Sequence, residues 1–145
     1  MRVIETFVTS VPREKIPSDA KWFMQDVHTE NLKFSRFDEK PTISIYHNQW
    51  FRGPILGGDD NFGSYPLSSD AAETVVTREE LMRAYDLVEQ GYTLWLGGEC
   101  PVKPRDARVD WVCDNGYVGR SVKASMLSWQ TSIIAYRLSR PIDKD

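Results

Sequence analysis

A chain of 145 residues with 41% apolar and 12% aromatic residues suffices for one domain, or for two small lobes sharing a core, and is too apolar for a disordered tail. Its formal net charge of −3 offers no basic surface of the kind that displaces counterions from phosphates, so nucleic acid is not an expected partner, and the charge is too mild for a DNA mimic. No window reaches the roughly 18 apolar residues of a membrane span, and the first ten residues, interrupted by Arg2 and Glu5, do not read as a signal peptide.

In residues 2–9, Val3, Glu5 and Phe7 alternate with Ile4, Thr6 and Val8. Both sets are largely apolar, which predicts a strand covered on both faces. Pro12 and Pro17 mark a loop, and Ser18 is placed to cap a short helix over 19–27 with Trp22, Phe23 and Val27 on one side. Pro41 precedes a strand over 42–47, where Ile43 and Ile45 alternate with polar residues and Tyr46; Trp50 and Phe51 follow. Residues 53–69, rich in Gly, Pro, Ser and Asp, predict a long loop of the kind that binds a partner or stays mobile.

The clearest helix signal starts at Thr77. Thr77 and Glu80 form a capping box, each side chain answering the other residue's amide. Leu81, Ala84, Tyr85 and Val88 follow at i, i+3, i+4 and i+7, and Gly91 stands where a left-handed C-cap belongs, so the helix is expected over 78–90. Strands are expected at 92–96, 107–113, 117–122 and 132–138. Asp114-Asn115-Gly116 makes the tight turn of a hairpin whose inward face carries Val109, Trp111 and Cys113, and 124–129 reads as a turn or single helical turn. The fold class is α+β: a small antiparallel sheet packed on one helix in residues 77–145, with a β-containing N-terminal lobe in residues 1–76.

No stretch carries a specific catalytic or metal motif. His28, His47, Cys100 and Cys113 lack the paired close spacing of a zinc site, and the acidic run at 57–63 has too few ligands for calcium, so neither a metal nor a cofactor is expected. Cys100 and Cys113 read as free thiols of a reducing cytosol. Cys100 follows Glu99, whose charge opposes thiolate formation, and Gly97-Gly98-Glu99-Cys100-Pro101 is better read as a tight turn. Gly57-Gly58 and Gly97-Gly98 lack the companions of a phosphate loop. What remains is a set of aromatic and cationic side chains: Trp50, Arg52, Trp95, Arg120, Trp129 and Arg137. Together these would supply the stacking faces and anion donors of a nucleotide-like ligand. The competing reading places the Trp residues in the core and the Arg residues in solvent. Trp129, in the turn before the last strand, is expected to be the most exposed of the aromatics.

Gly97 to Val102, the hairpin of 109–122, Ala124-x-x-Leu127-x-Trp129 and Ile133-Ile134-Ala135-Tyr136-Arg137 together resemble a C-terminal module of small proteins from tailed bacteriophages and prophages. The resemblance covers about 45 residues, and Ser132 stands where the module usually has Asp. Residues 1–76 resemble no family. The order of capped helix, Gly91-Tyr92-Thr93, Trp95, hairpin and Ile-Ile-Ala is also similar to phage sponge proteins that counter Thoeris defence, which bind cyclic ADP-ribose-type signals between protomers without cleaving them. The resemblance implies a non-enzymatic phage accessory protein of the host cytosol. It would act by capturing a nucleotide signal or by blocking a host defence protein. The alternatives are a virion structural or assembly protein and a small nucleotide-processing enzyme. A small, aromatic-rich chain of this kind is expected to form a homo-oligomer, most simply a dimer.

Overall fold

The computed structural model describes residues 2–43, 50–51, 61–95, 99–103, 106–129 and 132–139. Among these are two helices, α1 (Val3–Ser10) and α2 (Arg78–Glu89). The strands are β1 (Trp22–Gln25), β2 (Asn31–Ser35), β3 (Thr42–Ile43), β4 (Trp50–Phe51), β5 (Asn61–Ser64), β6 (Val76–Thr77), β7 (Thr93–Leu94), β8 (Arg108–Cys113), β9 (Val118–Lys123) and β10 (Ile133–Leu138). They form two four-stranded sheets, ordered β5-β2-β1-β6 and β7-β10-β8-β9, and a two-stranded ribbon of β3 and β4. Every pairing is antiparallel, and the architecture is α+β. The chain divides into two compact units, Met1–Tyr85 and Asp86–Asp145, so the division falls inside α2.

In the first unit, residues 3–10 are a helix, not the predicted strand. Val3, Thr6 and Phe7 are its buried face, at the i, i+3, i+4 spacing of a helix. Its first turn is completed from both sides. The Glu5 carboxylate accepts the Arg2 amide at 3.1 Å, and Asp70, distant in sequence, accepts the Val3 amide at 2.8 Å. The predicted helix over 19–27 is also corrected: residues 22–25 are strand β1, paired on one side with β2 and on the other with β6. Phe23, Met24 and Gln25 are all fully buried there, so apolar residues are needed on both faces and the alternation is hidden. Val3, Phe7, Phe23, Leu32 and Leu81 form the centre of the core, with Phe7 edge-on to Phe23 and to Phe62.

The predicted loop over 53–69 lies partly outside the described residues. Its described part, 61–69, begins with strand β5 on the edge of the sheet. The segment after β5 is tied down by the buried Gln25 amide, which donates to the carbonyls of Glu30, Tyr65 and Pro66 and accepts the Ser68 amide. A buried side-chain amide is tolerated because both its ends are satisfied. Strand 42–47 is described only at Thr42 and Ile43, which pair with Phe51 and Trp50; residues 44–47 lie outside the described residues.

Helix α2 matches its capping box. The Thr77 hydroxyl accepts the Glu80 amide and the Glu80 carboxylate accepts the Thr77 amide, each at 3.1 Å. Gly91 closes the helix at φ 90°. Leu81, Ala84 and Tyr85 are buried as expected, but Val88 is 42% exposed, and Leu87 is the buried residue of the last turn.

In the second unit β8, β9 and β10 form the sheet's body. Gly116 at φ 90° shapes the turn between β8 and β9. Along β8, Val109 is fully buried while Trp111 and Cys113 are half-buried. On one face, Val109 and Ile133 pack with Val102, Ala124 and Trp129, backed by Trp95, Trp111 and Tyr136. On the other, Val112 and Ala135 pack with Leu87 and Tyr92. A register shift between Val109 and Trp111 leaves Ser121 at φ 57° and lets its amide donate to Asp110 at 3.1 Å.

Candidate anion-binding cleft

The site is built from the short edge of the second sheet. Strand β7 pairs with only two residues of β10, Thr93 with Tyr136 and Leu94 with Ala135, while β10 runs on to Leu138. Beside the start of β7, where β10 runs on unpaired with β7 past Tyr136, lies a cleft of about 590 Å³, within the range of small-ligand sites. Gln90 and Gly91 border it from beyond the end of α2, Thr93 from β7, Pro101, Val102 and Lys103 from the described segment 99–103, and Tyr136, Arg137 and Leu138 from β10. The described residues around it include two cations and no carboxylate, thiol or imidazole.

Arg137 is held on three sides. Its Nε donates to Asp110 Oδ2 at 3.2 Å, its Nη1 donates to the Gln90 carbonyl at 2.5 Å, and its guanidinium carbon lies 4.4 Å from the centre of the Tyr92 ring. Asp110 is buried and accepts two further bonds, from Ser139 Oγ at 2.8 Å and from the Ser121 amide at 3.1 Å. Burial pushes its carboxyl up, but the Ser139 hydroxyl, the Ser121 amide and the Arg137 guanidinium outweigh that effect and hold it below the usual carboxylate range. Asp110 and Arg137 therefore form a charged pair at neutral pH.

Tyr136 is braced from behind by two tryptophans. Its ring lies edge-on to Trp129 at 5.4 Å and to Trp95 at 5.9 Å, and the two indoles meet edge-on at 5.6 Å. Each indole N–H is satisfied: Trp95 donates to the Trp129 carbonyl and Trp129 to the Ala124 carbonyl, both at 2.7 Å. Trp129 is only 5% exposed, which corrects the expectation that it is the most open aromatic. Its place in the turn is real, but the turn folds the indole under the sheet.

Of the six residues singled out from sequence, Arg137 lies at the cleft and over the Tyr92 ring, while Trp95 and Trp129 pack on Tyr136 in the cluster on the other face of the sheet. Arg120 is exposed on the outer strand β9 and does not line the cleft. Trp50 is in β4, opposite Ile43, within the first unit, and Arg52 lies outside the described residues. Tyr136, Lys103 and Asp110 are the residues that sequence reasoning missed. Tyr136 and Arg137 are adjacent in the Ile-Ile-Ala-Tyr-Arg run, and an aromatic beside an arginine near the end of the last strand was the available signal.

Both cysteines are free and half-buried. Among the described residues there is no group of three or more His, Cys, Asp or Glu side chains arranged to hold a metal, and no helix long and apolar enough to cross a membrane. No family model, curated protein or solved structure matches the chain.

Proposed function

We propose that this chain is a non-enzymatic accessory protein of a phage or prophage, acting in the bacterial cytosol by capturing a nucleotide-like anion intact. The observation that carries this reading is the cleft itself. Two cationic residues, Arg137 and Lys103, and the aromatic residue Tyr136 line one cavity with no carboxylate among its described residues. Phosphates are held by charge-assisted bonds from arginine and lysine, and a planar base needs an aromatic or apolar surface beside them. The order of motifs from Thr77 to Arg137 favours a counter-defence role, in which the captured anion is a host signal and the protein acts as a homo-oligomer.

The test begins with a lysate of defended bacteria. The purified protein is incubated in it, recovered, washed and heated, and the supernatant is analysed by mass spectrometry. An intact phosphorylated nucleoside derivative is expected, together with restored phage growth when the protein is expressed in those bacteria. Release of only a cleaved product would make the protein an enzyme. Recovery of a co-purifying protein with no small molecule would move the function to blocking a host protein.

A further inference from the structure

We infer that Asp110 is a positioning residue of the cleft: its carboxylate fixes Arg137 as a preset phosphate donor, and so strengthens anion binding instead of opposing it. This rests on reading the cleft as an anion site. Simple electrostatics expects the reverse. A carboxylate 3.2 Å from the guanidinium cancels much of the positive charge that an anion would see, so removing it should tighten binding. The geometry argues for the opposite sign. A free arginine side chain samples many rotamers, and holding it in one on binding a ligand costs conformational entropy. Here that ordering precedes the ligand.

Three groups from three places in the unit converge on the guanidinium. Asp110 on β8 takes Nε, the carbonyl of Gln90 beyond α2 takes Nη1, and the Tyr92 ring, itself 5% exposed, covers a face. The Asp110 carboxylate is in turn fixed by Ser139 beyond the end of β10 and by the Ser121 amide at the bulge in β9. Nη2 is the guanidinium nitrogen left without a protein partner among the described residues. The cation is thus fixed within the cleft with donor capacity to spare. Asp110 itself is not among the residues that line the cavity, so it acts through Arg137 and not on the ligand.

The two signs separate in calorimetry with ADP-ribose as the probe, on wild-type protein, Asp110→Asn, Arg137→Lys and the double variant. The Asn side chain keeps the shape and the bond from Ser121 while removing the charge. Positioning predicts about tenfold weaker binding by Asp110→Asn, the scale of one lost charge-assisted bond. The dependence of log Kd on log salt should stay unchanged, because both cations remain. In the Arg137→Lys background, where the planar tie is already gone, Asp110→Asn should weaken binding no further. Equal or tighter binding by Asp110→Asn with Arg137 intact overturns the inference. Should that variant melt below the assay temperature, Ser139→Ala, which loosens Asp110 but keeps its charge, is expected to weaken ADP-ribose several-fold, and unchanged affinity there overturns it equally. Wild-type protein with no measurable affinity for ADP-ribose removes the anion-site reading and this inference with it. Tight wild-type binding with an undiminished Asn variant removes the inference alone.

Discussion

Replacing Trp129 separates a brace from a binding surface. The side chain is 5% exposed, meets Trp95 and Tyr136 edge-on, and donates its N–H to the Ala124 carbonyl. Trp129→Ala removes a buried aromatic and leaves a cavity, a change that costs about 3–5 kcal/mol in well-packed cores. The second unit runs only from Asp86 to Asp145, and a small domain has about 5–15 kcal/mol in total, so the Ala variant should lose the tertiary structure of this unit. Trp129→Phe is milder. It keeps an aromatic ring against Tyr136 but loses the N–H donor, and the Ala124 carbonyl still receives the Leu127 amide at 3.3 Å. The expected cost is about 1–2 kcal/mol, or a fall in Tm of roughly 5–15 °C for a unit of this size. Near-UV circular dichroism and urea unfolding monitored by tryptophan fluorescence read both variants, and the first unit should keep its own signal. The reasoning is refuted if Trp129→Ala melts like the wild type. If it also loses affinity for ADP-ribose, Trp129 is a stacking face and its indole faces the ligand.

Other expectations follow from single features. Gly119→Ala would place a methyl on the indole of Trp111, which must swing away; a loss of about 1–3 kcal/mol and a red-shifted fluorescence maximum are expected, and unchanged melting would show that Trp111 does not lie over Gly119. Thr77→Ala removes one half of the capping box and should cost about 1 kcal/mol without altering ligand affinity; loss of binding at unchanged Tm would assign Thr77 to a site. The Tyr85 hydroxyl donates to the Val11 carbonyl at 2.7 Å, and burial pushes its pKa up to about 12. The neutral form is favoured in the folded state, so its contribution is complete below pH 10 and is lost as the pH rises from about 10 towards 12. Denaturant titrations across that range should show stability falling in wild type and a shallower fall in Tyr85→Phe, and identical pH profiles would refute the assignment. Light scattering at tens of micromolar should give a mass of twice 16.7 kDa or more, and 16.7 kDa itself would reject the homo-oligomer.

The second unit was legible because its local signals agree with its tertiary structure. Gly91, the Asp114-Asn115-Gly116 turn and the recurrence of Val109, Trp111 and Cys113 each point to the element that forms, as the Thr77–Glu80 capping box does at the start of α2 in the first unit. Its site was only half legible. Arginine and tryptophan mark chemistry that a nucleotide could use, but sequence does not say which side of the sheet an indole enters. Two of the nominated residues became the support of Tyr136, and Arg137 reached the cleft. Asp110 was invisible as a site residue, because its role depends on pairing β8 with β10 in a register that sets it opposite Arg137.

The first unit was misread for reasons that lie in its own chemistry. Residues 3–10 hold Val, Ile, Thr, Phe and Val, types that favour strands, and no Ser, Thr, Asp or Asn occupies the position before Val3. Glu5 takes the Arg2 amide, but the Val3 amide is capped by Asp70, which no local pattern reveals. Yet a helical period was present: Val3, Phe7 and Val11 recur at i, i+4 and i+8, with Ile4 and Val8 beside them, and Val3, Phe7 and Val11 are the residues buried in the core. The two threonines do not break the helix because each hydroxyl is turned back on the preceding turn, Thr6 to the Arg2 carbonyl and Thr9 to the Glu5 carbonyl. Where propensity and period disagreed, the period was the better guide, because burial of the Val3 and Phe7 face against Phe23 and Leu32 outweighs the few tenths of a kcal/mol per residue that β-branched side chains cost a helix.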